Sequence, residues 1–239
     1  MKKDSTWFIP SNVNIAFSTR SGGVSLPPFD SLNLGDHVGD SPESVAENRR
    51  LIALQCDLPV EPAWLEQVHG VDVVNADNTQ VLRADGSVTQ DLKQVCVVMT
   101  ADCLPILLCD KKGTQVSAVH AGWRGLCDGI IDSALAHFKA SQEVIAYLGP
   151  CIGPNVFEVG EEVKVKFVEQ DAACEAYFSP IKHKYLADLQ GLAFYLLQRA
   201  GVSLIYQDKR CTYNNKDRFF SYRRDGITGR MASFIWLNE

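Results

Sequence analysis

The chain has 239 residues, 46% hydrophobic, 9% aromatic and 22% charged, proportions that suit a packed core and exclude a disordered chain. Its net charge, 23 − 29 = −6, disfavours a binder of duplex nucleic acid, which needs a cationic face. A local arginine pocket for a small anion remains compatible with it.

The first ten residues carry two lysines but neither the apolar run nor the small-residue cleavage site of a secretory leader. No apolar stretch approaches the roughly 20 residues of a membrane span. The expectation is a cytoplasmic protein with neither membrane nor nucleic acid as partner. In that reducing compartment the eight cysteines form no disulfide framework.

A short β-branched run predicts the first strand over 13–19. Ser41 and Pro42 read as N-cap and first residue of a helix to about Gln55, with Glu43 and Glu47 near its positive end. Strands are expected over 64–68 and 71–75, followed by a polar stretch, 75–94, that reads as a surface excursion. Strands over 95–100, 106–109 and 116–120 follow too closely for crossover helices between them, so a mixed sheet is expected rather than a doubly wound parallel one. A helix over 126–140, a strand over 144–148 and a helix over 160–170 come next. Asp188 then caps a helix that buries Leu189, Leu192, Ala193, Leu196 and Leu197 on one face and stops at Gly201. Strands over 204–207 and 232–237 close the chain. There is no repeat, low-complexity tract or linker, and residues 1–239 read as one α/β domain.

Of the five histidines, His137 and His183 sit in polar sequence and read as ordinary surface residues. His69 and His120 each end a strand-like run and precede glycine or Ala-Gly, a place where side chains converge on a cleft. Cys103 lies in Thr100-Ala-Asp-Cys-Leu-Pro105, where the proline marks a break between two apolar strands. Cys96 and Cys109 lie inside those strands. The separations, 103 − 69 = 34 and 120 − 103 = 17, match no local metal motif, so these residues would meet only through the fold.

Placement alone leaves three readings open. Two imidazoles and a thiolate make a three-ligand catalytic zinc site with one position open. Cys103 is otherwise a nucleophile activated by His120 without metal, or simply a core cysteine beside two satisfied histidines. Counting excludes a multicopper oxidase of the familiar kind: such enzymes need about ten histidines, and this chain has five.

Arg20, in Thr19-Arg-Ser-Gly-Gly-Val-Ser25, belongs to a turn able to offer backbone N–H groups to an anion. Arg124 follows Trp123 at a helix start and would favour a negatively charged ligand. Glu158, beyond the turn Gly149–Pro154, is a candidate acid or base. The arginine- and aromatic-rich stretch 218–226 reads as ion pairs closing the domain in preference to a phosphate clamp. No P-loop, GxGxxG or GxSxG motif is present.

Several segments together resemble a known family. They are Phe17-Ser-Thr-Arg20 with Gly22-Gly-Val-Ser25, Ser31-Leu-Asn-Leu-Gly35, His37-x-Gly-Asp40, Glu66-Gln-Val-His-Gly70, Thr100-Ala-Asp-Cys-Leu-Pro105, His120-Ala-Gly-Trp-Arg-Gly125, Gly149-Pro-x-Ile-Gly153, Phe157-Glu-Val-Gly160 and Phe219-Phe-Ser-Tyr-Arg-Arg224. The chain resembles the YfiH family, also called the laccase-domain, polyphenol-oxidase or purine nucleoside phosphorylase family, from about Val13 to the C-terminus. The resemblance implies an α/β/β/α sandwich of layered mixed sheets, and a zinc held by residues corresponding to His69, Cys103 and His120. It implies phosphate-dependent cleavage of adenosine, inosine, guanosine and methylthioadenosine, adenosine deamination, and a phenol oxidation that needs added copper. In this reading Cys103, His120 and Asp102 are catalytic, Asp102 orienting a ligand, while Arg20, Arg124 and Glu158 contact substrate. The zinc-deaminase signature H-x-E…P-C-x-x-C is absent, so deamination would use another site design.

Two rival classes are a metal-free Cys–His hydrolase or amidase that edits cell-wall precursors, and a non-catalytic metal- or ligand-binding module.

Overall fold

The structure, a computed structural model, describes residues 6–239. Lys2 and Lys3, on which the reading of the N-terminal segment partly rested, lie outside the described residues. The largest sheet has six strands in the order β13 (Leu204–Gln207), β9 (Val144–Leu148), β7 (Leu104–Asp110), β8 (Val116–Ala121), β5 (Gly86–Thr89) and β3 (Val73–Asn75). Its outermost pair at each edge is parallel and the inner pairs are antiparallel. A second, antiparallel sheet has the order β1 (Val13–Phe17), β14 (Met231–Leu237) and β6 (Val95–Thr100). Two small sheets are β2 (Leu65–Glu66) with β4 (Leu82–Arg83), and β10 (Glu158–Val159) and β11 (Phe178–Ile181) either side of β12 (Lys184–Ala187).

The strict alternation of side chains along a strand turns these sheets into layers. Leu104, Ile106, Leu108, Val144, Ala146 and Leu148 face one way. Over them pack α2 (Trp123–Asp128), α3 (Ile130–Leu135), α4 (Glu161–Gln170) and α5 (Leu189–Arg199). Leu107, Cys109, Val116, Ala118, Ile145 and Tyr147 face the other way, against Ile15, Phe17, Cys96, Val98 and Ile235 of the second sheet. The far side of that sheet, with Val97, Phe234 and Trp236, packs on Leu32, Leu34 and Ile52 of α1 (Pro42–Gln55) and its approach. The order is helix, sheet, sheet, helix, the sandwich that the family resemblance implied. β6, β8, β9 and β14 are buried along their whole length and are mostly apolar, without the alternation of a half-exposed strand.

Ser41 caps α1, its hydroxyl accepting from Ser44 N–H at 3.3 Å, with Pro42 at the first position as expected. Asp188 caps α5, its carboxylate accepting from Gly191 N–H at 2.8 Å.

Three expectations need correction. The helix expected over 126–140 begins at Trp123 and breaks at Gly129, whose φ of 103° no helical residue adopts. Pro105 lies inside β7 as its second residue, opposite His120, and its carbonyl accepts from Gly149 N–H at 2.9 Å; the chain break falls just before, at 101–103. The segment 75–94 is no surface excursion, because β5 lies within it, buried throughout, between β8 and β3.

Candidate metal centre

β8 runs to the end of the large sheet and delivers His120, its penultimate residue, in a buried position. The turn between β6 and β7 delivers Cys103, half-exposed. His69 comes from the loop after β2 rather than from a strand end, exposed and with a φ of 62°. The candidate ligand atoms of these three all lie within 4.8 Å of one another. Cys103 Sγ is 3.8 Å from His69 Nε2, and the two imidazoles meet edge to face with centroids 4.7 Å apart. Residues separated by 34 and 17 positions have been brought to one point.

Asp85, fully buried, organises the cluster. Its carboxylate accepts three successive backbone N–H groups, from Val68 (3.1 Å), His69 (2.9 Å) and Gly70 (2.6 Å). It also lies 2.8 Å from His120 Nδ1. One side chain thus fixes both histidines, and the bonds to the 68–70 backbone hold His69 in a left-handed conformation unusual for a residue with a Cβ.

Asp102 has a positive φ too, 98°, and its carboxylate is the anchor. It accepts from Thr212 Oγ1 (2.6 Å), Ser221 Oγ (3.0 Å) and Arg223 N–H (2.7 Å), while its carbonyl accepts from Ile152 N–H (2.9 Å). Asp102 therefore seats the Cys103 turn on the C-terminal segment. Among the described residues it makes no hydrogen bond to either histidine, and the carboxylate that meets a histidine ring is Asp85.

Burial pushes the Cys103 thiol up, but His120 and His69 outweigh it and bring it down to about 6. Burial likewise disfavours charged His120, yet Cys103 and Asp85 raise its pKa. Burial would raise Asp85, and the His120 and backbone bonds hold it below the usual carboxylate range.

The donor set suits a borderline-soft cation. Asp85 occupies Nδ1 of His120, which leaves Nε2 as the nitrogen available to a metal. A sulfur about 2.3 Å and a nitrogen about 2.0–2.1 Å from a tetrahedral ion lie about 3.5–3.6 Å apart, and the Cys103–His69 separation of 3.8 Å is a few tenths of an ångström wider. Gly122 completes the cradle. A Cβ there would lie 2.8 Å from His69 Cδ2 and 3.3 Å from Cys103 Sγ, so backbone alone closes that wall.

The expected substrate contacts lie elsewhere around this end of the molecule. Arg20 is held by Asp30 and the Lys216 carbonyl and lies over the Phe220 ring. Its neighbours Gly22 and Gly23 give their N–H groups to Ser31 Oγ, and Val24 gives its own to Asn48, so this turn has none of those donors left for an anion. Arg124 is exposed over Trp123. Glu158 is exposed and paired with Lys184 at 2.6 Å. Arg224 ties Thr212, Tyr213 and Phe219 carbonyls to Asp225, the domain-closing role expected for its segment. His137 and His183 are exposed, as expected.

The residue that sequence reasoning missed is Asp85. Its signal was an acid between Ala84 and Gly86, beside a short alternating run, in a segment that otherwise reads as polar surface.

Fold and cluster define an α/β/β/α protein with a candidate single-metal site at the end of its central sheet. Comparison with known proteins supplies the family. The family model described as multi-copper polyphenol oxidoreductase laccase matches residues 14–238. The Shigella flexneri protein named purine nucleoside phosphorylase YfiH is 52% identical, with 97% of this chain and 96% of the relative covered. The Escherichia coli protein of the same name is 51% identical over the same shares. A solved Neisseria meningitidis protein superposes with a TM-score of 0.94 at 47% identity, covering 98% of this chain and 97% of the other. The Bacillus licheniformis hypothetical protein YfiH superposes at 0.90 with 31% identity, covering 95% and 93%. The chain belongs to this laccase-like YfiH family. Among its described residues no helix is long and apolar enough to cross a membrane.

Proposed function

We propose that this chain is a zinc-dependent purine nucleoside phosphorylase, acting as one catalytic domain over residues 1–239 in the cytoplasm. The observation that carries the proposal is the convergence of His69, Cys103 and His120 under the Asp85 carboxylate, in a chain 52% identical to a relative named for that activity. Adenosine, inosine, guanosine and methylthioadenosine are the proposed substrates, with adenosine deamination as a second activity. Phenol oxidation would arise when copper occupies the same His–Cys–His set, which binds copper well.

In phosphorolysis the bond between ribose C1′ and the base nitrogen breaks, and its electron pair leaves on the base. An oxygen of hydrogen phosphate bonds to C1′, and the proton of that phosphate ends on the base. The products are ribose 1-phosphate and free purine. Zinc held by His69, Cys103 and His120 would supply Lewis acidity at the sheet end. Asp85 holds the His120 imidazole through Nδ1 and the His69 backbone through its N–H, which keeps the two histidines in register with each other. Arg124, over Trp123 and without a carboxylate partner among the described residues, offers a charge at the rim for orienting substrate.

The test is metal analysis of untagged protein together with an assay for phosphate-dependent nucleoside cleavage. Stoichiometric zinc and ribose 1-phosphate formation support the proposal; metal-free protein that still turns over defeats it.

One observation favours a second reading: the Cys103 thiol, brought down to about 6 beside His120, has the character of a nucleophile in a metal-free Cys–His hydrolase. Turnover that survives chelators and dies on alkylation of Cys103 would select it.

A further inference from the structure

A phosphorylase must hold its phosphate, and we infer that Arg230 is the residue that does so, an inference that rests on the phosphorylase reading above. Of the other arginines at this end of the molecule, Arg20, Arg223 and Arg224 are engaged, and Arg124 stands exposed over Trp123 rather than half-buried in a built seat. Arg20 donates to the Asp30 carbonyl and carboxylate and to Lys216. Arg224 donates to Asp225 and to three backbone carbonyls. Arg223 reaches the Glu158 carbonyl at 2.8 Å and lies over Phe157. Arg230 uses only Nη1, toward the Thr228 (3.0 Å) and Gly229 (3.2 Å) carbonyls. Among the described residues it pairs with no carboxylate, and its Nε and Nη2 have no protein acceptor.

The residue is nonetheless mounted with care. Buried Asn33 accepts from Arg230 N–H at 2.8 Å through Oδ1, and Leu34 N–H donates to the Arg230 carbonyl at 3.1 Å. A Cβ on Gly35 would stand 2.7 Å from Arg230 Cγ, so the aliphatic stem runs directly over that glycine. The segment Ser31-Leu-Asn-Leu-Gly35 thus has a physical purpose: it grips the backbone and stem of one arginine and leaves the head half-buried and unpaired.

Arg230 springs from the strand end beside the Cys103 turn. Met231 pairs with Thr100 at the end of β14 and β6, which sets Arg230 next to Ala101, one residue before Asp102 and two before Cys103. Burial lowers the Arg230 pKa, and the charges that counter it most are those of Cys103 and Asp102. Neither is an ion-pair partner: the Asp102 oxygens accept from Thr212, Ser221 and Arg223, and Cys103 faces the histidines. A rigid guanidinium fork with free donors, next to a site for a divalent cation, matches a tetrahedral oxyanion that can bind it in bidentate fashion.

The test takes full-length, metal-loaded protein with inorganic phosphate as probe. KM for phosphate and for inosine are measured separately in wild type, Arg230→Gln and Arg230→Lys, and phosphate binding without nucleoside is followed by 31P NMR. Arg230→Gln should raise the phosphate KM and weaken direct binding by roughly tenfold to a hundredfold, the range of a lost charge-assisted bond. The inosine KM and the melting temperature should stay near wild type, and Arg230→Lys should recover part of the phosphate affinity. An unchanged phosphate KM and unchanged 31P binding in a variant that still phosphorolyses would overturn the role of Arg230 and leave the phosphorylase reading intact. Equal losses for both substrates with a lowered melting temperature would also overturn it, by showing a structural part. A wild type that never consumes phosphate would defeat the phosphorylase reading itself, and this inference with it.

Discussion

Asp85 and His120 are joined twice: the His120 N–H donates to the Asp85 carbonyl at 2.7 Å, and the Asp85 carboxylate meets His120 Nδ1 at 2.8 Å. β5 and β8 are neighbours in the sheet, and this double link continues their ladder into side-chain chemistry. A residue on a strand not paired with β8 could form neither link, so the imidazole is oriented by the same pairing that builds the core.

Asp85→Asn should therefore act on metal affinity. The amide cannot accept from the 68–70 backbone and His120 with both of its heteroatoms. Metal binding, measured by competition with a chromophoric chelator, should weaken by about 10–100-fold, as for other residues that orient a ligand from behind. Wild-type affinity in this variant would remove Asp85 from the site.

Gly122→Ala tests the cradle. The backbone φ of −66° suits alanine, so any effect comes from the added methyl, 2.8 Å from His69. Overpacking of this kind costs about 1–3 kcal/mol, or roughly one to two orders of magnitude in metal affinity if His69 is what moves. The melting temperature of the metal-free protein, measured alongside, should change little, because His69 is exposed.

Cys103→Ala should lose both stoichiometric metal and phosphorolysis, since a thiolate is the one anionic donor of the cluster. Metal analysis and ribose 1-phosphate formation are the measurements. Full retention of both would end the ligand assignment.

In metal-free protein the Cys103 thiol is brought down to about 6. The reactive thiolate is the form present above that pKa, so alkylation of Cys103 should speed up as pH rises through about 6 and then level off. Cys96 and Cys109, pushed up to about 12 by burial, should stay unmodified. Mass spectrometry of the peptides reads the result, and added zinc should protect Cys103 alone.

Asp102→Asn probes the anchor. Asparagine tolerates the positive φ but offers only one acceptor oxygen to three donors, and the Arg223 N–H cannot turn away. The loss should be about 1–3 kcal/mol of stability. At about 2–4 °C per kcal/mol for a chain of this size, a thermal melt resolves it.

Much of the fold is legible in the sequence because its signals are local. The capped helix Pro42–Gln55, the strand Val95–Thr100, the strand Val144–Leu148 and the helix after Asp188 all fall where periodicity and caps place them. The failures are also physical. Gly-Ser-Val-Thr in β5 has little apolar content, and only its position between two strands buries it. Pro105 reads as a breaker, yet it is accommodated within β7 near the start of that strand.

For the candidate site the division is sharper. Placement beside turns and strand ends singled out His69, Cys103 and His120 along the chain, with three readings of them left open, and counting showed too few histidines for a multicopper enzyme. Only the tertiary structure decided that they meet, that Asp85 rather than Asp102 holds the histidines, and that Arg230 is left unpaired while Arg20 is not. Helix caps and strand alternation are written in neighbours along the chain. Hydrogen-bond partners between residues 35 or more positions apart depend on register and burial, which exist only once the sheets have paired.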